Sequence, residues 1–138
     1  MTREVFLDSG IFIAFLVPSD TLHPQAASLF SRPPRSWCTS VLVLAETYGW
    51  LLRRAGEEAA RGFRGLAGDL TDVEILPADA GHHLAVERKL DALRGARLTY
   101  VDASSLVWLA ERGIETVWGT DHHLTLEGAS VIPGPPAR

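Results

Sequence analysis

Cysteine and lysine are almost absent from this chain of 138 residues, which contains one cysteine, Cys38, and one lysine, Lys89. A single cysteine cannot form an intrachain disulfide, and the apolar neighbours of Cys38 are typical of a small buried thiol. The chain also lacks a G-x-x-x-x-G-K-[ST] phosphate loop and a G-x-S-x-G nucleophile elbow. One cysteine with scattered histidines does not make a zinc site. These absences exclude disulfide scaffolds, phosphate-loop enzymes, nucleophile-elbow hydrolases and zinc modules.

Long apolar runs are missing too. The longest, GIFIAFLV and SVLVLAETYGWLL, are shorter than the roughly 20 residues of a membrane span. No charged segment followed by an apolar run and a small-residue cleavage site opens the sequence, so we expect a cytoplasmic protein without membrane contact. Hydrophobic residues make up 46% and charged residues 22%, as in soluble globular proteins. The length suits one domain, predicted at residues 1–133, with a loose tail at residues 134–138.

The charge balance is mildly acidic, with a formal net charge of −4. This value argues against a surface that binds nucleic acid indiscriminately. Of the 13 basic residues, all but Lys89 are arginine, whose planar fork binds two phosphate oxygens at once. Four of them fall close together and are candidate contacts for a phosphate backbone, or else a solvated helix face: Arg53, Arg54, Arg61 and Arg64.

Short apolar strands alternate with helices along the chain. The patterns predict strands at residues 4–7 and in RSWCTS, DVEILP, IETVWGTD and GASVIP, with helices between them. The last helix is expected to run from about Asp102 to Arg112, and the pair His82–His83 is expected at the surface. The alternation predicts an α/β fold with a parallel sheet covered on both sides.

Acidic residues stand where the predicted strands end. Asp8 follows the first strand in VFLDSG, and Asp121 follows the fourth in VWGTD. Glu46 lies one turn into an otherwise apolar helix after the second strand, and Asp102 opens a helix. Ligands of open parallel sheets gather outside the carboxyl ends of the strands, so we expect all four acids at one rim. Carboxylates in such surroundings repel one another unless they are protonated or held by a cation.

The chemistry of the four acids narrows the choice of cation. Sites made only of carboxylates favour Mg²⁺ or Mn²⁺ over zinc, and two such ions about 4 Å apart can support phosphodiester hydrolysis. Ser9 and Thr120, each beside an acid, are candidates for orienting carboxylates or water. The alternative is that Asp8 and Asp102 only cap helices and that Glu46 is merely solvated.

Four segments in order, FLDSG, VLAE, YVDASSLVWLAERG and VWGTD, resemble the PIN domain. Within that family they are most similar to the VapC-type toxin ribonucleases of bacterial toxin–antitoxin systems. The likeness runs from Arg3 to about Pro133. It implies a three-layer α/β/α fold with a five-stranded parallel sheet in the order 3-2-1-4-5. The catalytic and metal-binding roles carry over to four acids, with Ser9 and Thr120 in support: Asp8, Glu46, Asp102 and Asp121.

The resemblance also implies an activity and partners. It implies a Mg²⁺- or Mn²⁺-dependent endoribonuclease, usually a homodimer and often inhibited by a small antitoxin protein. The expected reaction is hydrolysis by an activated water that leaves a 5′-phosphate and a 3′-hydroxyl, and the preference for RNA over DNA rests on the resemblance. The arginine cluster is then a candidate for contacting the RNA backbone.

One segment departs from the family pattern. Similar proteins often have a basic residue and then an aromatic after the last acid, whereas this chain has TDHHLTL. His122 and His123 are candidates for contacting phosphate or a metal-bound water, or else belong to a solvated loop.

Two other functions stay open. The first is a catalytically silent PIN-like module that binds RNA or protein. The second is a signalling receiver, but that class needs two acids after the first strand, an acid directly after the third, and a late lysine. The first strand ends on one acid, Asp79 is badly placed, and the late lysine is missing.

Overall fold

Five short strands form the centre of the protein. The computed structural model describes residues 4–136; residues 1–3, which include Arg3, and residues 137–138 of the predicted tail lie outside the described part. The strands are β1 (Glu4–Leu7), β2 (Ser36–Ser40), β3 (Val73–Leu76), β4 (Thr116–Gly119) and β5 (Ser130–Pro133). The helices are α1 (Ser9–Leu16), α2 (His23–Phe30), α3 (Val41–Arg54), α4 (Glu57–Asp69), α5 (Ala80–Ala92) and α6 (Tyr100–Arg112), and a 3-10 helix spans His122–Thr125.

All strand pairs are parallel, and their order in the sheet is β3-β2-β1-β4-β5. This confirms the predicted fold class and strand order. β1 lies in the middle, where Phe6 pairs with Cys38 of β2 on one side and with Val117 of β4 on the other. Every residue of β1 is buried, as expected for a strand whose two faces are both covered.

Aromatic side chains fill the space between the sheet and the helices α1, α2 and α4. The Phe12 and Phe63 rings meet edge to face with centroids 5.2 Å apart, and Phe30 meets Trp118 at 5.5 Å. Trp37 of β2 packs against Trp118 of β4 at 6.0 Å. These contacts hold α1, which carries Ser9, and its neighbours α2 and α4 against the sheet, since edge-to-face pairs add to the energy of apolar burial.

The opposite, amino-terminal end of the sheet holds a partly buried ion pair. The Arg112 guanidinium donates through Nε and Nη2 to the two carboxylate oxygens of Glu4, both at 3.0 Å, and through Nη2 to Glu74 at 2.7 Å. Cys38 lies nearby and is fully buried as predicted, and burial raises the pKa of its thiol to about 12. The acids at this end therefore have a counter-ion within the chain.

Two sequence predictions were wrong in detail. Helix α6 begins at Tyr100 rather than near Asp102, because Thr99 caps it and receives the Asp102 backbone N–H at its hydroxyl, 3.1 Å away. His82 is not at the surface: it is 6% exposed, contacts the Ser104 hydroxyl at 2.6 Å and stacks on Trp108.

No helix in residues 4–136 is both long and apolar enough to cross a membrane.

Candidate active site

Four carboxylates meet at the carboxyl-terminal rim of the sheet. Asp8 follows β1, and its backbone N–H donates to the Trp118 carbonyl of β4 at 2.9 Å. Asp8, Glu46 and Asp121 line one cleft of about 360 Å³. Asp102 joins them from the first turn of α6, where its Oδ2 lies 3.5 Å from the His123 Nδ1, an atom 3.0 Å from the Asp121 Oδ1.

Two glycines make this close approach possible. A Cβ at Gly119, the last residue of β4, would lie 3.1 Å from the Asp8 Cβ. A Cβ at Gly10, in the first turn of α1, would lie 2.1 Å from the Thr120 Oγ1 and 3.0 Å from the Thr120 backbone nitrogen. An added Cβ at Gly10 would overlap Thr120, and one at Gly119 would require Asp8 to shift by a few tenths of an ångström. Glycine at these two positions therefore lets the ends of β1 and β4 lie close together.

Burial and mutual repulsion disfavour ionised carboxylates at the rim. Asp8 is 5% exposed, and burial, with smaller contributions from the charges of the other three acids, raises its pKa from 3.8 to about 7. Burial also raises the pKa of Glu46 and of Asp102, and the Asp121 charge adds to both effects. The pKa values of all three acids are raised, as expected for clustered carboxylates without a compensating cation.

The capping alternatives can be compared with the geometry. Asp8 stands at the N-cap of α1, yet its side chain makes no capping hydrogen bond. Asp102 does cap: its Oδ2 accepts the Thr99 backbone N–H at 3.1 Å in a reciprocal capping box. Glu46 is half-buried rather than solvated. Capping therefore explains part of the placement of Asp102. The Asp8 carboxylate interacts with the backbone of Ser9, the first residue of α1, without forming a cap.

The two predicted supporting residues lie beside the acids. The Ser9 hydroxyl lies near the Glu46 carboxylate and partly offsets the rise in the pKa of Glu46. Thr120 lines the cleft, and its hydroxyl faces Gly10. Ser9 thus favours the charged form of one carboxylate, while Thr120 packs at the junction of the two strand ends.

The four predicted arginines do not act as one group. Arg53 lines the cleft with the acids. The Arg54 guanidinium lies 5.9 Å from the centre of the Trp50 ring, at the edge of the same region. Arg61 pairs with Glu57 on the exposed side of α4 at 3.4 Å, and Arg64 is also exposed on that helix.

Sequence reasoning missed Trp50 as a residue of the site, and it did not distinguish His123 from His122. Trp50 lines both the acidic cleft and an adjoining cleft of about 270 Å³; its place one turn after Glu46 was a usable signal. His123 was one of two equivalent histidines in the sequence, and the structure separates them. Its ring is 25% exposed and faces Asp102 and Asp121, whereas the His122 ring is 72% exposed.

The donor set fits a divalent cation. Within residues 4–136, no lysine or arginine lies within ion-pair distance of the four rim carboxylates, in contrast to the amino-terminal end of the sheet. One ligand atom each from Asp102, Asp121 and His123 lie within 4.8 Å of one another. Oxygen-rich sites of this kind suit Mg²⁺ and Mn²⁺.

Comparison with known proteins assigns the fold to a family. The PIN domain family model matches residues 5–125, a span that contains all four rim acids. The chain belongs to the PIN domain family. This PIN domain is also similar to the solved structure of VapC20 from Mycobacterium tuberculosis, named as a toxin that cleaves the sarcin–ricin loop. The TM-score is 0.84 at 25% sequence identity, over 91% of this chain and 96% of the other.

The resemblance to VapC-type PIN domains seen in the sequence is thereby confirmed. A search of curated proteins gave no match. The assignment of this PIN domain therefore rests on its family model, its strand order and its similarity to VapC20.

Proposed function

We propose that this PIN domain is a metal-dependent endoribonuclease and the toxin of a toxin–antitoxin pair. The observation that carries the proposal is the group of four carboxylates gathered at one rim, without lysine or arginine partners among the described residues, in a fold similar to a ribonuclease toxin. A phosphodiester is an anion, so an acidic rim of this kind repels it until a cation is present.

Each rim residue has a part in the proposed chemistry. Asp8, Glu46, Asp102 and Asp121 would hold Mg²⁺ or Mn²⁺. Such ions lower the pKa of water and stabilise charge on a leaving oxygen. The Ser9 hydroxyl favours the ionised Glu46 carboxylate, and the packing of Gly10 against Thr120 fixes the position of Asp8 relative to Asp121. Water is the attacking group in this proposal, so no residue of the chain forms a bond to the substrate.

The cleft also has groups suited to holding an RNA strand. Arg53 presents a guanidinium beside the acids, and Trp50 presents an aromatic face between the two adjoining clefts. Arginine binds phosphate oxygens in pairs, and unpaired bases stack on aromatic side chains. We propose that Arg53 contacts the backbone and that a base stacks on Trp50, while Arg61 and Arg64 contribute little.

The cleavage assay that tests the function uses a pool of structured RNAs with Mg²⁺, with Mn²⁺ or with EDTA. We expect cutting with either ion, none with EDTA, and a loss of at least about 100-fold in the Asp8→Asn variant, since that substitution removes a charged ligand. Asp91→Asn, at an exposed position of α5, is the matched control and should cut normally. If the protein binds RNA but cuts none under either condition, the catalytically silent binding module is the better description.

A second experiment tests the role of Trp50. In the Asp8→Asn background, Trp50→Ala should weaken binding of an uncut RNA about 10-fold, because base stacking contributes about 1–3 kcal/mol. Trp50→Phe should retain most of the affinity. Equal affinity of all three proteins would remove Trp50 from the RNA-binding surface and leave the cleavage proposal intact.

The partners follow from the same likeness. We propose that the protein acts in the cytoplasm, where its RNA substrate is found, as a homodimer inhibited by a small antitoxin. Light scattering on the purified chain tests the dimer: a mass near 30 kDa, twice the 15.0 kDa of one chain, is expected. A neighbouring small gene product that co-purifies and blocks cleavage would identify the antitoxin.

A further inference from the structure

His123 occupies a position that a hydrogen bond alone does not explain. Its Nδ1 lies 3.0 and 3.3 Å from the two carboxylate oxygens of Asp121 and 3.5 Å from the Asp102 Oδ2. Two of these oxygens already accept a backbone N–H, the Asp121 Oδ1 from His123 and the Asp102 Oδ2 from Thr99. The ring nitrogen, with one hydrogen or one lone pair, adds at most one further hydrogen bond to this group. A cation placed among these atoms would contact the ring nitrogen and both carboxylates at once.

The backbone holds the ring in this place. His123 follows β4 on the 3-10 helix, and its backbone N–H donates to the Asp121 Oδ1 at 2.9 Å. The Asp121 carboxylate therefore accepts a hydrogen bond from the His123 backbone N–H and also faces the His123 ring. The capping box of α6 fixes Asp102 on the other side. The three side chains are set by their own local structure rather than by each other.

The spacing also suits direct coordination. Ligands at neighbouring corners of an octahedron with bonds of about 2.1 Å lie about 3 Å apart. The Nδ1–Oδ separations of 3.0 Å to Asp121 and 3.5 Å to Asp102 are close to this value. We propose that His123 is a nitrogen ligand of the ion held at the rim, and that it makes the site favour Mn²⁺ over Mg²⁺.

The chemical basis for the preference is the ligand type. Mg²⁺ binds oxygen and gains little from imidazole, whereas transition-metal ions accept nitrogen readily. His122 provides a matched control on the same short helix: its Nδ1 is 3.8 Å from the Asp121 Oδ1, but its ring is 72% exposed and is outside the three-residue group. This inference rests on the proposed metal-dependent function.

The test is pulsed electron paramagnetic resonance of Mn²⁺ bound to the 138-residue chain, which detects a directly coordinated nitrogen by its magnetic coupling. We expect a ¹⁴N signal in the wild type that changes to the ¹⁵N pattern when the histidines are ¹⁵N-labelled. The signal should disappear in His123→Gln and persist in His122→Gln. In titrations, His123→Gln should weaken Mn²⁺ binding about 10-fold and change Mg²⁺ binding less than about twofold.

The outcomes separate this inference from the proposed function. Tight Mn²⁺ binding without a histidine nitrogen signal, or a signal unaffected by His123→Gln, would overturn the role of His123 and leave the metal-dependent nuclease standing. No binding of Mn²⁺ or Mg²⁺ to the wild type would contradict both. If His123→Gln misfolds, a ¹⁵N-sensitive signal that persists in His122→Gln still assigns the nitrogen to His123, since His122 is the other histidine near the rim acids.

Discussion

Replacing Asp8 by asparagine should stabilise the metal-free protein while removing its activity. Burial raises the pKa of Asp8 from 3.8 to about 7, so the folded protein keeps a proton there that the unfolded chain releases above about pH 4. The free energy of unfolding therefore falls as the pH rises from about 4 to 7, and the loss is complete above pH 7. At about 1.4 kcal/mol per pH unit, the rise from 3.8 to about 7 corresponds to about 4 kcal/mol.

Asparagine has nearly the same shape and cannot ionise, so the variant avoids this loss. Urea unfolding in EDTA at pH 5 and pH 8 measures the effect. The difference in the free energy of unfolding between Asp8→Asn and wild type should increase by about 3 kcal/mol from pH 5 to pH 8 in favour of the variant, since Asp8 in the folded state ionises only near pH 7. Asp91→Asn, which changes an exposed carboxylate, should show no such growth.

Adding Mn²⁺ provides the complementary measurement. The ion should raise the urea midpoint of the wild type at pH 8, because a ligand that binds only the folded state stabilises it. It should raise that of Asp8→Asn much less. A variant that is less stable than wild type at pH 8 in EDTA would refute the claim that the Asp8 charge is held at an energetic cost.

The remaining predictions concern packing and charge away from the reaction. Gly10→Ala should lower the free energy of unfolding by about 1–3 kcal/mol in urea titrations, because the new methyl group overlaps the side chain opposite. Gly62→Ala, where an added Cβ meets nothing within 4 Å, should instead stabilise the helix by up to about 1 kcal/mol. Arg112→Met should cost about 3 kcal/mol, since it leaves the Glu4 carboxylate buried without its partner. Arg61→Met removes an exposed pair and should change stability by less than about 0.5 kcal/mol. If Gly10→Ala and Gly62→Ala had equal effects on stability, the contact of Gly10 with Thr120 would be contradicted. If Arg112→Met and Arg61→Met had equal effects, the burial of the Glu4 carboxylate against Arg112 would be contradicted.

The fold was predictable because local and overall signals agree. Strands such as β1 are short apolar runs, and residues that cap or end helices mark the boundaries: the Ser40 hydroxyl accepts the Val43 backbone N–H at 3.1 Å, and Asp79 caps α5 in the same way. Such signals depend on neighbours in sequence, so they are visible without coordinates. The strand order followed from the family resemblance rather than from the residues.

The parts that could not be predicted depend on contacts between distant segments. The start of α6 was misplaced because Thr99 and Asp102 are both residue types that favour the N-cap position, and the sequence does not show which of them caps the helix. The burial of His82 required knowing that Ser104 and Trp108 lie against it. The need for glycine at position 10 appears only when the end of β4 is placed beside α1.

The sequence predicted which acids meet at the rim, but not how the side chains around them are arranged. Carboxylates at strand ends indicated which side chains would meet. The choice between His122 and His123 depends on the 3-10 helix after β4, a single turn too short to leave a periodic pattern in the sequence. Its effect is large, because it places one ring on Asp102 and Asp121 and leaves the other exposed.

The most direct test of the account is RNA cleavage in water enriched in ¹⁸O, followed by mass spectrometry of the product ends. Hydrolysis by water at the acidic rim predicts one ¹⁸O atom in each new 5′-phosphate and a free 3′-hydroxyl, with either ion and not with EDTA. Products that end in a 2′,3′-cyclic phosphate and form in EDTA would contradict it, since they arise from attack by the RNA's own 2′-hydroxyl without a metal.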